Sequence, residues 1–287
     1  MLVPPTEGLR VAKYAEGAGY APDQWARALA GVDWSGAELL SDKPRSSVWR
    51  AELVVQQRPM TLVIKCEPID RLKRKLQKLV RSTHAFRHWR GAELLMKHGL
   101  RTAEPKAVVY GARDGVEVEC LIMEALEGKT VLQHLADGDL SVREEHAVAR
   151  AVGRFTRAIQ ARAPNPDCKL SNLIVLEDDR QIAMIDCVGV GRAAELERML
   201  AIQCIEALGV GLPIRRPLLY RALLGADATQ ARVPPRRRST RTPGVRRRWR
   251  EVERLVQAHG DPTPEHNPLG PVGSRPRQAG ASIPERE

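Results

Sequence analysis

Pro166-Asp-Cys-Lys-Leu-Ser-Asn172, followed by Leu173-Ile-Val-Leu176, a charged stretch, Ile182-Ala-Met-Ile185 and Asp186-Cys-Val-Gly189, is the part of the chain on which the reading of the fold turns. Two short apolar runs, residues 173–176 and 182–185, flank a polar turn, the pattern of a small β-hairpin. A hairpin brings its two ends together, so Asn172 before the first strand and Asp186 after the second meet. Residues 130–162 read as helical throughout, and a helical pattern resumes at about residue 193 and runs to 224. Upstream the pattern is mostly strand. From Trp34 to Lys65 it suggests a hairpin with its turn at residues 56–59, and residues 107–110 and 116–123 form a second strand pair around a turn at 113–115. Between the pairs, apolar positions Ile69, Leu72, Leu76, Leu79 and Val80 recur at helical spacing, with Arg71, Lys73, Arg74, Lys75, Lys78 and Arg81 on other faces. A second helix spans about residues 83–98 and closes at Gly99. The expectation is an α+β protein whose strand-rich first half precedes a mostly helical second half.

Composition narrows the classes. The chain has 287 residues with 43% hydrophobic and 28% charged residues, close to an average globular protein and unlike a collagen, coiled-coil or wholly disordered chain. No stretch approaches the roughly 18 apolar residues of a membrane span, and the first residues lack the pattern of a signal peptide, so a cytoplasmic protein is expected. The five cysteines, Cys66, Cys120, Cys168, Cys187 and Cys204, show no zinc-like spacing and read as reduced, mostly buried thiols. The formal net charge is +11, but residues 232–287 hold 13 arginines against 6 acidic residues, which leaves the body only mildly basic. That segment is rich in Pro and Gly, so a disordered tail is expected, with a short helix near 245–258 as its one ordered candidate. Its arginines read first as a solvated tail, with anionic lipid or nucleic acid as the rival contact; nucleic acid is not the expected partner.

Asp167, Lys169, Asn172 and Asp186 are the residue types that phosphoryl transfer from ATP demands. That chemistry is mostly positioning and charge neutralisation, and it needs a carboxylate at the acceptor hydroxyl, oxygen ligands for magnesium and a cation on the phosphates. Asp167 would take or orient the hydroxyl proton, Lys169 would sit near the transferring phosphoryl group, and Asn172 and Asp186 would hold Mg2+. Taken singly, Asp167 and Asn172 could equally be turn caps and Asp186 a plain strand-end residue.

Asp167-x-Lys-x-x-Asn172 and Asp186-x-x-Gly189, set about a short hairpin, resemble the catalytic loop and metal-binding segment of the protein-kinase-like superfamily. The resemblance covers roughly residues 38–225. It implies that Lys65, at the end of Val63-Ile64-Lys65, binds phosphate from its strand, and that backbone groups around Glu124 to Leu126, in Leu121-Ile-Met-Glu-Ala-Leu-Glu-Gly128, bind adenine. It also implies an acid paired with Lys65; no Glu lies between Glu67 and Glu93, so Glu93 is the candidate. Within the superfamily, Ala85-Phe-Arg-His-Trp89-Arg-Gly-Ala-Glu-Leu-Leu95 and Gly99-Leu-Arg-Thr102-Ala-Glu-Pro105 are similar to the lipopolysaccharide kinase family, which phosphorylates heptose or Kdo of the inner core. The implied organisation is an N-terminal extension (1–37), an N-lobe (38–126), a C-lobe (127–231) and the basic tail (232–287). The implied partners are a lipid-linked sugar and an anionic membrane surface met through residues 71–81, placing the protein peripherally at the inner membrane.

Three departures bear on activity. Asn165-Pro166 stands where the family has His-Arg. Cys187-Val188 replaces the aromatic of the metal segment. The phosphate-covering loop, Lys43-Pro-Arg-Ser-Ser-Val-Trp49, has no glycine, leaving Ser46 and Ser47 as backbone phosphate donors or ordinary turn residues. A pseudokinase scaffold is therefore the non-enzymatic alternative. A serine/threonine protein kinase is the other, although no Ala-Pro-Glu-like anchor follows Gly189.

Overall fold

The computed structural model describes residues 3–16, 19–69, 72–178, 180–213, 215–228 and 244–260, and the chain divides into two compact units. The first comprises residues 1–128 with 176–179 and 183–192. Its frame is a six-stranded sheet in the order β1-β5-β6-β4-β3-β2. The strands are β1 (Glu7–Tyr14), β2 (Glu38–Lys43), β3 (Ser46–Val55), β4 (Arg58–Pro68), β5 (Pro105–Arg113) and β6 (Val116–Glu124). Strand character follows position: central β6 is buried on both faces from Val118 to Met123, whereas edge strand β2 is almost wholly exposed. In β3, burial alternates with period two, so Leu53 and Val55 reach the core while Glu52 and Val54 face out.

The first 37 residues are not an extension. β1 pairs antiparallel with β5, and Trp25 and Leu29 of α1 (Pro22–Ala30) are fully buried against Leu53, Ile64, Val109 and Ile122. The other face of the sheet packs on α3 (His84–Lys97) through Phe86, Trp89, Val108 and Leu121.

A second correction concerns the cysteines. The β4–β6 register sets Cys66 directly opposite Cys120 with their Cα atoms 4.3 Å apart, and the two form a disulfide. Cys168 and Cys187 are buried free thiols, as expected, and Cys204 is free and partly buried.

The short helix α2 (Leu72–Leu79) is oriented unlike a simple amphipathic surface helix. Its basic residues Arg74 and Lys78 turn inward, Arg74 to Glu67 at 2.7 Å and Lys78 to Glu117 and over the Tyr110 ring. Leu76, Leu79 and Val80 turn outward with 55%, 79% and 71% of their surface exposed. Arg71 and the side chain of Lys73 lie outside the described residues.

The second unit is mostly helical over its described residues, which lie within 129–175, 180–182 and 193–260. The stretch expected to be continuous helix divides into α4 (Val131–Asp137) and α5 (Val142–Arg162), the latter opened by Ser141, whose hydroxyl accepts from Glu144 N while Glu144 returns a bond to Ser141 N. α5 lies against α7 (Arg216–Ala228) at backbone distance: a Cβ on Gly153 would fall 1.8 Å from the Ala222 carbonyl oxygen, and one on Gly225 would fall 2.2 Å from that of Arg150. Two glycines set that spacing.

α6 (Leu196–Gly209), α7 and α8 (Val245–His259) share a cluster of Leu196, Leu200, Leu223, Val252 and Val256. Thus part of the segment expected to be a disordered tail packs: Val252 and Val256 are fully buried, and buried Arg248 pairs with Asp227 and lies 3.3 Å from Glu197. The rest of residues 232–287 lies outside the described residues. The two apolar runs of the opening stretch are strands β8 (Leu173–Leu176) and β9 (Ile182–Met184), in a three-stranded sheet of order β7-β8-β9 with β7 at Gly128–Thr130.

Candidate active site

In the first unit, Lys65 and Asp186, expected to hold phosphate and metal, meet. Lys65, on β4 between its register partners Val48 and Leu121, donates from Nζ to Asp186 Oδ2 at 3.3 Å across 121 positions of sequence. The Asp186 oxygens are used differently. Oδ1 accepts from Val188 N at 3.2 Å, which leaves Oδ2 as the oxygen that meets the lysine. Burial pulls the Asp186 carboxyl pKa up, but Lys65, His88 and the Val188 N–H outweigh it, so the net shift is below the usual carboxylate value.

The segment carrying Asp186 is seated on neighbouring chain. Met184 O accepts from the Thr102 hydroxyl at 2.6 Å and from Ala103 N at 3.3 Å, and Cys187 Sγ lies 3.1 Å from the same hydroxyl. Burial pushes the Cys187 thiol up to about 12, so it is inert packing at neutral pH. From the other side α3 presses in: a Cβ on Gly91 would fall 2.1 Å from the Cys187 carbonyl oxygen.

Glu93 does not supply the acid beside Lys65. Its carboxylate accepts from Lys13 Nζ at 2.9 Å and from Trp89 Nε1 at 2.5 Å, at the half-exposed edge of α3. The buried stripe of that helix runs through Ala85, Phe86, His88, Trp89, Gly91, Ala92 and Leu95, and Glu93 sits just off it. The α3 side chain nearest the pair is His88, 1% exposed, with Nδ1 3.8 Å from Asp186 Oδ1 and neither ring nitrogen hydrogen-bonded. Burial depresses its pKa to about 4 against the pull of Asp186, so the ring is neutral at physiological pH. Glu67 supplies a further negative charge near Lys65, held by Arg74 and by His84 at 3.1 Å. A cavity of about 10 Å³ lies between Lys65, Glu67, His84, His88, Glu119 and Val188.

The remaining first-unit candidates are less free. Ser46 pairs with Lys43 across the tight β2–β3 turn, and Ser47 is fully buried with its hydroxyl accepting from Trp49 Nε1 at 3.0 Å, so it points into the core and not toward a phosphate. Glu124 ends β6; its N–H donates to Glu104 O at 2.9 Å and its carboxylate binds Arg101 at 2.8 Å. Leu126 is partly buried against the core that includes Phe86, Leu121 and Met123.

In the second unit the catalytic-loop candidates also gather. Lys169 Nζ lies 2.7 Å from Asp167 Oδ1, and the Asn172 side-chain amide donates to Asp167 O at 3.1 Å, leaving its own oxygen for a cation. Sequence reasoning missed the groups that hold this loop. Buried Asn165 accepts from Asp167 N at 3.0 Å, an Asx cap whose only signal was an Asn before Pro. Glu206 of α6 accepts from Ser171 N at 3.1 Å and from its hydroxyl, while Gln203 reaches the Cys168 sulfur at 3.6 Å.

Among the described residues no three His, Cys, Asp or Glu side chains cluster as a metal cage. Magnesium seldom uses one: it takes one or two carboxylates with substrate phosphates, and the hard oxygens of Asp186 are of the type it takes.

No family model matches the chain, and neither does any curated protein. Among solved structures it is similar to WaaP in complex with acyl carrier protein, at 18% identity over 76% of this chain and 88% of that one, with a TM-score of 0.46. It is also similar to the PknI kinase domain of Mycobacterium tuberculosis, at 17% identity over 78% of this chain and 98% of that one, with a TM-score of 0.41. At those scores the likenesses carry no weight of their own. The kinase-like reading stands on the order of the units and on the paired residues within each.

Proposed function

We propose that this protein is an ATP- and magnesium-dependent phosphotransferase acting on a sugar hydroxyl of the lipopolysaccharide inner core, heptose or Kdo. The observation that carries the reading is the Lys65–Asp186 pair, a strand lysine and a post-hairpin aspartate brought to 3.3 Å. Lys65 would neutralise phosphate charge and Asp186 with Asn172 would hold magnesium, which when bound supplies charge neutralisation on the phosphates. Asp167 would accept the acceptor hydroxyl's proton as that oxygen bonds to the γ-phosphorus and the bond to the ADP oxygen breaks; Lys169 would offset charge on the transferring group. Glu124 and Leu126 remain the proposed backbone contacts for adenine.

No helix among the described residues is long and apolar enough to cross a membrane. The proposed membrane contact is peripheral, with Leu76, Leu79 and Val80 of the outward face entering an anionic surface and exposed Lys75 and Arg81 meeting its headgroups.

The test is incubation with labelled ATP and either dephosphorylated core lipopolysaccharide or a generic protein substrate. Label on the sugar supports the proposal, and label on protein alone would make the chain a protein kinase. Nucleotide binding without transfer would make it a pseudokinase, the reading that the glycine-free loop at 43–49 favours.

A further inference from the structure

α3 contacts the Asp186 segment by its backbone and not through a long acid side chain. Gly91 lies where any Cβ would strike the Cys187 carbonyl, and a shift of α3 to admit one would carry the whole helix away from that segment. His88 stands one helical turn before Gly91 on the same buried stripe. The close approach permitted by the glycine therefore delivers the imidazole to the aspartate, with Nδ1 3.8 Å from Oδ1. Both ring nitrogens are enclosed and lack a hydrogen-bond partner among the described residues. A buried polar group left in that state costs stability, so its retention in the core points to a bond made in another state of the site.

The two oxygens of Asp186 indicate which bond. Oδ1 is the anchored side, already fixed by Val188 N, while Oδ2 faces Lys65. A carboxylate that binds a metal through one oxygen is commonly held by a hydrogen bond to the other, and such outer partners set the orientation of the ligand. We infer that His88 is the positioning residue for Asp186, closing from 3.8 Å to hydrogen-bonding distance on Oδ1 when Lys65 and Oδ2 part to take phosphate and magnesium. On this account α3 acts on the site through a histidine that meets Asp186, with a glycine one turn on, and not through the acid beside Lys65 for which Glu93 was the candidate. The inference rests on the kinase reading, since it assumes that Asp186 meets a metal.

The test is calorimetric: binding of a non-hydrolysable ATP analogue to the full chain, with and without magnesium, alongside thermal melting. His88→Leu, which fills the site without a donor, should melt at or above the wild-type temperature and keep the metal-free nucleotide affinity while weakening the magnesium-dependent gain about tenfold, the loss typical of an outer-shell partner. His88→Asn, which places an N–H near the Nδ1 position, should recover most of that gain, and Gly91→Ala should lose it by displacing the helix. An unaltered magnesium dependence in His88→Leu would overturn the inference and leave the kinase reading intact. Wild-type protein that binds no nucleotide would overturn both. Should His88→Leu fail to fold, His88→Asn decides: a folded His88→Asn with no magnesium-dependent gain counts against a hydrogen-bonding role.

Discussion

Ending the chain at residue 231 should unfold the helical unit at a markedly lower temperature, although an apolar-residue count over 232–287 argues that this segment is dispensable. Burying a valine side chain contributes about 1.5–3 kcal/mol, so Val252 and Val256, both fully buried, account for about 3–6 kcal/mol. Removing α8 also uncovers Leu196, Leu200 and Leu223, and it leaves Asp227 and Glu197 without Arg248, which is 3% exposed. The unfolded chain recovers the entropy of the ordered helix, which offsets part of this, so a net loss of about 4 kcal/mol is a reasonable expectation. For a unit of this size each kcal/mol shifts the midpoint by roughly 2–4 °C, giving a fall of about 8–16 °C. The comparison needed is between chains ending at 231 and at 260, melted by circular dichroism with a dye that reports exposed apolar surface. The chain ending at 260 should melt like the full-length protein. If both truncations melt together, α8 does not pack as described and the segment is a tail after all.

Asp167→Asn should abolish phosphoryl transfer while nucleotide binding survives, because the proton acceptor is lost and nothing in the first unit changes; calorimetry beside a transfer assay separates the two. Asn165→Ala should lower transfer by an order of magnitude or more without removing Asp167, since the cap on the Asp167 N–H is lost; activity equal to wild type would show that the cap is dispensable. Glu67 titrates below its usual value, because His84, Lys65 and Arg74 outweigh the effect of its burial, so its contribution is present above pH about 4.5 and is lost as pH falls below that. Glu67→Gln should therefore flatten the acid limb of a stability curve taken by denaturant melts from pH 6 to 3. Replacing Leu76, Leu79 and Val80 by Ser should reduce sedimentation with anionic vesicles more than replacing Lys75 and Arg81 by Gln, and only the second effect should be reproduced by added salt; equal binding by all three proteins would mean that the outward face is merely solvated.

What could be read from the chain was what depends on neighbours in sequence. The pairing of β8 with β9, α3 ending at Gly99 with its φ of +67°, and the loop from Asp167 to Asn172 all follow from local period and turn chemistry. What stayed hidden depends on register or on rotation about a helix axis. Cys66 and Cys120 are 54 residues apart and become opposite only once β4 is paired with β6. His88 and Glu93 are five positions apart, about 140° around α3, so the face that carries His88 to Asp186 leaves Glu93 at the half-exposed edge, away from Lys65. The helix expected near 245–258 is α8, but its packing stayed hidden for a different reason: a count of apolar residues discards their placement. Val245, Trp249, Val252 and Val256 share one face, and that is enough to join a core whose other walls are already built.

The departures from the kinase-like pattern acquire physical roles when the packing is considered. Cys187 stands where an aromatic ring is expected, and its thiol is fully buried with the Thr102 hydroxyl 3.1 Å away, while α3 lies so near its backbone that a Cβ on Gly91 would strike its carbonyl. A ring at 187 would force α3 outward and carry His88 away from Asp186. The small residue at 187, the glycine at 91 and the histidine at 88 are thus three parts of one arrangement, and none works without the others. Asn165 is comparable in the second unit, where a short side chain after the α5 helix caps Asp167 N and frees the loop from needing the larger pair. The glycine-free loop at 43–49 has no such compensation in view: Ser47 turns its hydroxyl to Trp49, so any phosphate contact there falls to backbone N–H groups. The missing glycines, more than the missing His-Arg or the missing aromatic, are therefore where a loss of catalytic power would originate.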